Sequence, residues 1–306
     1  MKGLHLRLPA TSANLGPGFD TLALALDFSL DITAELSGEF SIHATGRNPE
    51  TCGALERNLL LDVYRRTLAA NQSEAKPLAL KVHNEIPLGM GCGSSAAVRL
   101  AGVALAAHFG QLDWDRERIL AEATKLEGHP DNAAACWLGG FVAGCWDGSR
   151  IHAVSFAPPQ QWRALVVLPD KPLATTASRA VLPAQYSRAD VVANLQRVAV
   201  LTAAFATGRG ELIAEAMRDR MHQPYRSKVC PLLPCLLPLS GTGGVLGVAL
   251  SGAGPAVLIL VESEVAMEDV ENRVREVTRG FESVEIARSK LAPNPAIMSD
   301  FSLQLS

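Results

Sequence analysis

The chain has no surplus of either charge: 28 Lys and Arg stand against 31 Asp and Glu, a net charge of -3 over 306 residues. A dedicated nucleic-acid binder carries a basic excess to neutralise phosphates, so that class is excluded. Cysteine pairing is missing too. The six cysteines, Cys52, Cys92, Cys136, Cys145, Cys230 and Cys235, form no C-x-x-C pair and none lies at zinc-ligand spacing with histidine. They read as reduced, mostly buried thiols. No apolar run opens the chain, because Lys2, His5 and Arg7 interrupt it; a signal-peptide core cannot form there, and a cytoplasmic protein is the expectation. The one long uncharged stretch, 229–261, is broken by four prolines and six glycines, too often for a membrane-spanning helix. A buried hairpin is expected there instead. What the chain does have is 48 % apolar residues, enough for a sizeable core, which excludes disorder.

Apolar alternation predicts strands over 4–8, 21–36, 78–83, 162–168, 245–250, 256–261 and 283–288. Helical periodicity predicts helices over 58–70, 98–109, 115–126, 132–138, 190–206, 211–220 and 267–278. Composition changes at Pro158-Pro159, which sets a domain division into 1–159 and 160–306. Helices and strands mix in both halves, so the expected class is α+β with two domains.

The 25 glycines concentrate in three loops: Asn14-Leu15-Gly16-Pro17-Gly18-Phe19-Asp20, Gly89-Met90-Gly91-Cys92-Gly93-Ser94-Ser95 and Ser251-Gly252-Ala253-Gly254-Pro255. The middle loop stands between a strand and a helix rich in small residues. Glycines let successive N–H groups turn toward one anion, and the helix N-terminus adds partial positive charge. That is a phosphate cradle. A Walker loop is excluded, since no lysine follows Gly93. The dinucleotide fingerprint G-x-G-x-x-A fits Gly91 to Ala96, with Asp113 and Asp115 downstream, but Pro87 and Gly89 lengthen the loop beyond the tight turn that fingerprint needs.

Four segments together resemble the GHMP kinase family: PATSANLGPGFDTL at 9–22, PLGMGCGSSAA at 87–97, EGHPDNAAA at 127–135 and ALSGAGPAV at 249–257. The resemblance covers almost the whole chain. It implies an N-terminal α/β domain like domain 2 of ribosomal protein S5, followed by a ferredoxin-like α+β domain. It implies phosphoryl transfer from ATP with Mg²⁺, and its nearest branch uses L-homoserine as a small-molecule acceptor in threonine biosynthesis. Cys92 stands where the family usually has leucine.

By this resemblance Pro87, Leu88, Gly89, Met90, Gly91, Cys92, Gly93, Ser94, Ser95, Ala96 and Ala97 bind ATP, and Ser95 and Glu127 hold Mg²⁺. An amino-acid acceptor carries an ammonium, for which the resemblance indicates Asn14 and Asp20. Its carboxylate calls for a cationic fork, offered by Arg179 and Arg226. Thr175, His129 and Gly252 complete the acceptor set, and Glu127, Asp131, Asn132 and Arg179 form the catalytic set. Asp131 reads either as a base or as a helix N-cap. The resemblance implies no nucleic-acid or membrane partner and leaves a homodimer open. Another small hydroxylated acceptor, or an inactive nucleotide-binding homologue, remains as an alternative.

Overall fold

The computed structural model describes residues 2–301. Its first sheet is built on two long antiparallel strands, β1 (Gly3–Asn14) and β2 (Gly18–Leu36). In β1 the pleat is plain: Leu4, Leu6 and Leu8 are buried while Arg7 is exposed. The register slips between Pro9 and Ala10, leaving Asp27 and Phe28 of β2 unpaired with β1. This bulge bends β2, as an inserted pair must. Its C-terminal half pairs with β4 (Leu78–Asn84), and its N-terminal half pairs with β5 (Phe141–Trp146), which continues into β6 (Ile151–Phe156). Beyond β4 lies β3 (Ser41–Gly46), parallel to it across a helical crossover, as parallel pairing requires.

β4 runs directly into the second glycine loop and the helix Ser94–Phe109. This helix is buried nearly all round, with Ala97, Leu100, Ala101, Val103, Ala104 and Leu105 in the core, because helices Leu59–Ala70, Arg116–Glu127 and Asp131–Leu138 enclose it against the sheet. It is therefore a rigid mount for whatever its N-terminus holds.

The second sheet has the order β10-β7-β9-β8, all antiparallel, from β7 (Arg163–Pro169), β8 (Val245–Leu250), β9 (Val257–Val261) and β10 (Val284–Lys290). The uncharged stretch does supply the hairpin β8–β9, after the short helix Leu232–Leu236. Both faces of this sheet are covered, so β9 reads as a continuous apolar run. Leu165, Val167, Val257 and Ile259 pack with Leu232, Val270 and Val274 on one face. On the other, Val166, Leu258 and Leu260 join Leu201, Phe205 and the core of the first sheet. A shared core of this kind fixes the two sheets to one another.

The strands β3, β5 and β6 were not expected from the sequence, and two further features depart from it. The segment 211–220 is no single helix: a 3₁₀ turn Gly210–Leu212 and one helical turn Ile213–Ala216 give way to an irregular run. Asp219 causes the break, because its carboxylate accepts the N–H groups of Met221, His222 and Gln223. The chain after 160 also does not stay with the second sheet. A last strand, β11 (Ile297–Phe301), returns to pair with β1, from Arg7↔Ile297 to Gly3↔Phe301.

Candidate active site

Three loops meet where β1, the N-terminus of helix Ser94–Phe109 and the hairpin β8–β9 converge. Backbone bonds tie them: Thr11 N–H to Cys92 C=O (3.1 Å), Gly252 N–H to Ala13 C=O (3.1 Å) and Ala256 N–H to Met90 C=O (3.1 Å). The Ser251 hydroxyl donates to Gly91 C=O at 2.8 Å, and the Asn14 amide donates to Gly252 C=O at 2.8 Å. Only glycine fits at Gly91, where φ is +82° and an added Cβ would stand 2.2 Å from the Ser251 carbonyl oxygen. Gly93 precedes the helix with φ 73° and no side chain caps it, so the first amides of the helix face the pocket without an intrahelical partner.

The enclosed pocket has a volume of about 110 Å³. At its phosphate-cradle end lie Gly89, Gly91, Gly93, Ser94 and Ser95, with Glu127, His129, Asp131 and Asn132 opposite. Glu127 closes one helix and Asp131 opens the next; Gly128, at φ +88°, makes the reversal that brings both carboxylates to the same wall. The Ser95 hydroxyl lies 3.4 Å from Glu127 Oε2, to which it donates. Arg99 spans the two, its Nη1 bonded to Ser95 Oγ and 2.5 Å from Glu127 Oε2. A hydroxyl and a carboxylate are donors of the kind a small hard divalent cation takes, and a guanidinium already lies between them, so the pair fits Mg²⁺.

His129 Nδ1 lies 2.7 Å from Asp131 Oδ1, and its Nε2 lies 4.0 Å from Glu127 Oε1. Burial works against its charged form, but the Asp131 hydrogen bond and the nearby carboxylates outweigh it and hold His129 above its ordinary pKa. Asp131 occupies the first helical position after Pro130, with its carboxylate taken by His129 and by the Asn132 N–H at 2.7 Å. It is therefore not the N-cap. Asn132 Oδ1 accepts from the Thr11 hydroxyl at 2.7 Å, which turns its amide nitrogen toward Asp131.

Asp20 brings a carboxylate oxygen within 4.8 Å of His129 and Asp131 side-chain atoms; Arg179 Nη2 pairs with its Oδ1 at 2.7 Å, and Asn14 Oδ1 accepts its N–H at 3.0 Å. Arg226 is almost wholly buried; its Nη1 donates to Gly252 C=O (3.1 Å) and His222 Nδ1 (3.2 Å). Both guanidinium carbons lie 5.3 Å from the Phe19 ring centroid. His222 Nε2 stands 2.6 Å from Gly16 C=O, so the ring donates to loop one and accepts from Arg226 as a neutral imidazole. Burial, with Arg226 alongside, pushes His222 below its ordinary pKa.

The pocket thus gathers Asn14, Asp20, Gly89, Gly91, Gly93, Ser94, Ser95, Glu127, His129, Asp131, Asn132, Thr175, Arg179, Arg226 and Gly252. It does not include the remaining residues of the phosphate motif. Pro87, Leu88 and Met90 line an adjoining cavity of about 320 Å³ with Arg47, Asp170 and Glu285. Cys92 is buried in the core, its thiol pushed up to about 12, and Ala96 and Ala97 are buried in the helix. Sequence reasoning missed Thr11, Arg99, His222 and Ser178, whose hydroxyl donates to Ala253 C=O of the third loop at 2.6 Å. Of these only Arg99 had a local signal, its i,i+4 spacing from Ser95 on one helix face.

Family models for the GHMP kinases N terminal domain and the GHMP kinases C terminal match residues 58–140 and 201–279. A homoserine kinase of Solibacter usitatus is 48 % identical over 262 residues, spanning 84 % of this chain and 85 % of that one. A homoserine kinase of Moorella thermoacetica is 38 % identical over 83 % of this chain and 86 % of its own. The crystal structure of homoserine kinase from Cytophaga hutchinsonii superposes with a TM-score of 0.80 at 25 % identity, over 98 % of each chain.

Proposed function

The chain belongs to the GHMP kinase family, and from that premise we propose that it transfers the γ-phosphoryl group of ATP to the hydroxyl of L-homoserine, giving O-phospho-L-homoserine and ADP. The observation that carries the acceptor is the pairing of Arg179 with Asp20 beside the buried Arg226, in the same pocket as the cradle. A zwitterionic amino acid can enter between Arg179 and Asp20 and replace one ion pair with two. Its carboxylate meets Arg179 and Arg226, and its ammonium meets Asp20 and Asn14. Gly252 C=O, held by Asn14 and Arg226 together, forms the floor, and Thr175 stands at the rim.

The amides of 89–95 receive the phosphates. Ser95 and Glu127 would hold Mg²⁺, which when bound supplies the positive charge that phosphoryl transfer needs at the phosphates. A loose transition state requires little deprotonation of the attacking hydroxyl. We assign that proton to Asp131, which His129, held toward its charged form, keeps oriented. Asn132, fixed by Thr11, positions the transferring group.

An ADP-release assay across homoserine, shikimate, mevalonate and galactose tests the reading. Turnover with homoserine alone is expected. Turnover with another acceptor and none with homoserine would overturn the substrate and leave the kinase standing. ATP binding with no turnover on any of the four would favour an inactive homologue.

A further inference from the structure

We propose that Arg99 is a built-in cation that occupies the metal-ligating pair Ser95–Glu127 whenever the divalent ion is absent, and yields that pair when the ion binds. The proposal rests on the phosphoryl-transfer reading above and adds a residue to it.

Arg99 follows Ser95 by one helical turn, so the two side chains share a face of Ser94–Phe109. Its guanidinium bonds both the Ser95 hydroxyl and the Glu127 carboxylate. The Glu127 side chain is only 10 % exposed. A carboxylate that nearly buried needs a counter-charge, since desolvation penalises an unpaired ion. Among the described residues the other cationic group paired with it is His129, whose Nε2 stands 4.0 Å away and whose Nδ1 is committed to Asp131. The surrounding helix offers Ala96, Ala97, Leu100 and Val103, all buried and apolar. Arg99 is thus the counter-ion of Glu127.

A guanidinium and a divalent cation cannot both take Glu127 Oε2 from the same side, because like charges at that distance repel. Metal binding must therefore displace Arg99. The side chain is 24 % exposed, so it has open space into which to move. Its tether lies in the first turns of the helix, next to the amides that face the pocket. Two consequences follow. Without metal, Arg99 supplies positive charge beside bound phosphates. With metal, its displacement lowers the apparent affinity for the ion.

The test uses the non-hydrolysable analogue AMPPNP, titrated calorimetrically with EDTA and with saturating Mn²⁺, on wild type, Arg99→Gln and Arg99→Lys. Mn²⁺ affinity of the protein–AMPPNP complex is read separately by electron paramagnetic resonance. In R99Q the metal-free AMPPNP Kd should rise about tenfold, the loss of one charge-assisted contact, while Mn²⁺ binding tightens by about the same factor. R99K, which keeps the charge, should recover most of the metal-free binding. Equal weakening of AMPPNP with and without Mn²⁺ would overturn the proposal, making Arg99 an ordinary phosphate ligand. So would no change in either. If wild type binds AMPPNP under neither condition, the phosphoryl-transfer reading itself falls.

Discussion

Replacing Arg226 by alanine separates the acceptor end of the pocket from the phosphate end. In the folded protein its Nη1 serves Gly252 C=O and His222 Nδ1, and its Nε reaches Ser178 C=O at a long 3.4 Å. Gly252 keeps the Asn14 amide at 2.8 Å, so its carbonyl is not orphaned. His222 Nδ1 is, and a buried acceptor without a partner costs about 1–3 kcal/mol. With the void left by the side chain, a stability loss of about 3 kcal/mol is expected, or roughly 5 °C in Tm for a chain of 306 residues. The binding loss is separate. A hydrogen bond to a charged partner contributes about 1.5–3 kcal/mol. Arg179 remains to hold part of the carboxylate, so about 3 kcal/mol in all is expected, which is roughly a hundredfold in the homoserine KM.

The ATP KM should move by no more than about threefold, because Arg226 is joined to the cradle of 89–95 through loops one and three. Steady-state kinetics with each substrate varied, and a melting curve at saturating nucleotide, measure both effects. Arg226→Lys retains the charge and should recover part of the acceptor affinity. A homoserine KM unchanged within threefold, with the ATP KM raised tenfold, would place Arg226 at the wrong end and refute the assignment.

Further expectations concern the remaining parts of the site. Glu127→Gln should lower kcat by at least about a hundredfold and raise the Mg²⁺ concentration needed for half-maximal rate, since one anionic oxygen donor is lost; kinetics over a Mg²⁺ series measures it, and a normal Mg²⁺ requirement would refute the metal role. Gly91→Ala should destabilise the chain by about 2 kcal/mol or more, because the positive φ and the Ser251 carbonyl 2.2 Å from the new Cβ force loops two and three apart; urea unfolding measures it. Thr11→Val, nearly isosteric, should lower kcat several-fold with both KM values little changed, as Asn132 Oδ1 loses its 2.7 Å donor. His129 titrates higher in the folded chain than its ordinary 6.5, so its stabilising contribution is full below that value and is lost as pH rises through the folded-state pKa. The stability gap between wild type and His129→Gln should therefore shrink from acid toward alkaline pH, and a gap that widens would refute the pairing with Asp131.

The sequence was most legible where local rules and tertiary packing agree. Asn58, Asp115 and Ser187 cap their helices with side-chain oxygens, and Gly128 and Gly208 end two of them at positive φ. Those helices stand within a residue or two of their expected bounds. Four strands were missed, Phe141–Trp146 and Ile151–Phe156 among them; the other two, Ser41–Gly46 and Ile297–Phe301, bury no clean face and lie at sheet edges, where alternation has no core to answer to. The break after Ala216 was hidden for another reason: Asp219 competes for backbone amides, and propensity alone does not register a side chain reaching forward. Within the site, the glycine loops carried their own signatures, whereas the contacts between them did not. Thr11 meets Asn132 across 121 positions and His222 meets Gly16 across 206. No local pattern records such pairs, so the residues that orient the site stayed silent while the residues that form it were visible.

The charge balance now has a structural meaning. Arg179 and Arg226 line the pocket, but so do Asp20, Glu127 and Asp131, and Arg99 is committed to Glu127. The cradle of 89–95 contains no lysine or arginine at all. Apart from Arg99, side chains therefore leave the pocket without a cationic surplus to offer a triphosphate. What remains is the backbone: amides turned inward by positive φ at Gly89, Gly91 and Gly93, and the positive end of the helix behind them. Such dipoles are fixed by the fold and keep their orientation without a counter-ion. Binding a polyanion through dipoles and one exchangeable cation is how a chain of net charge -3 can hold a nucleotide while offering nothing to a nucleic acid.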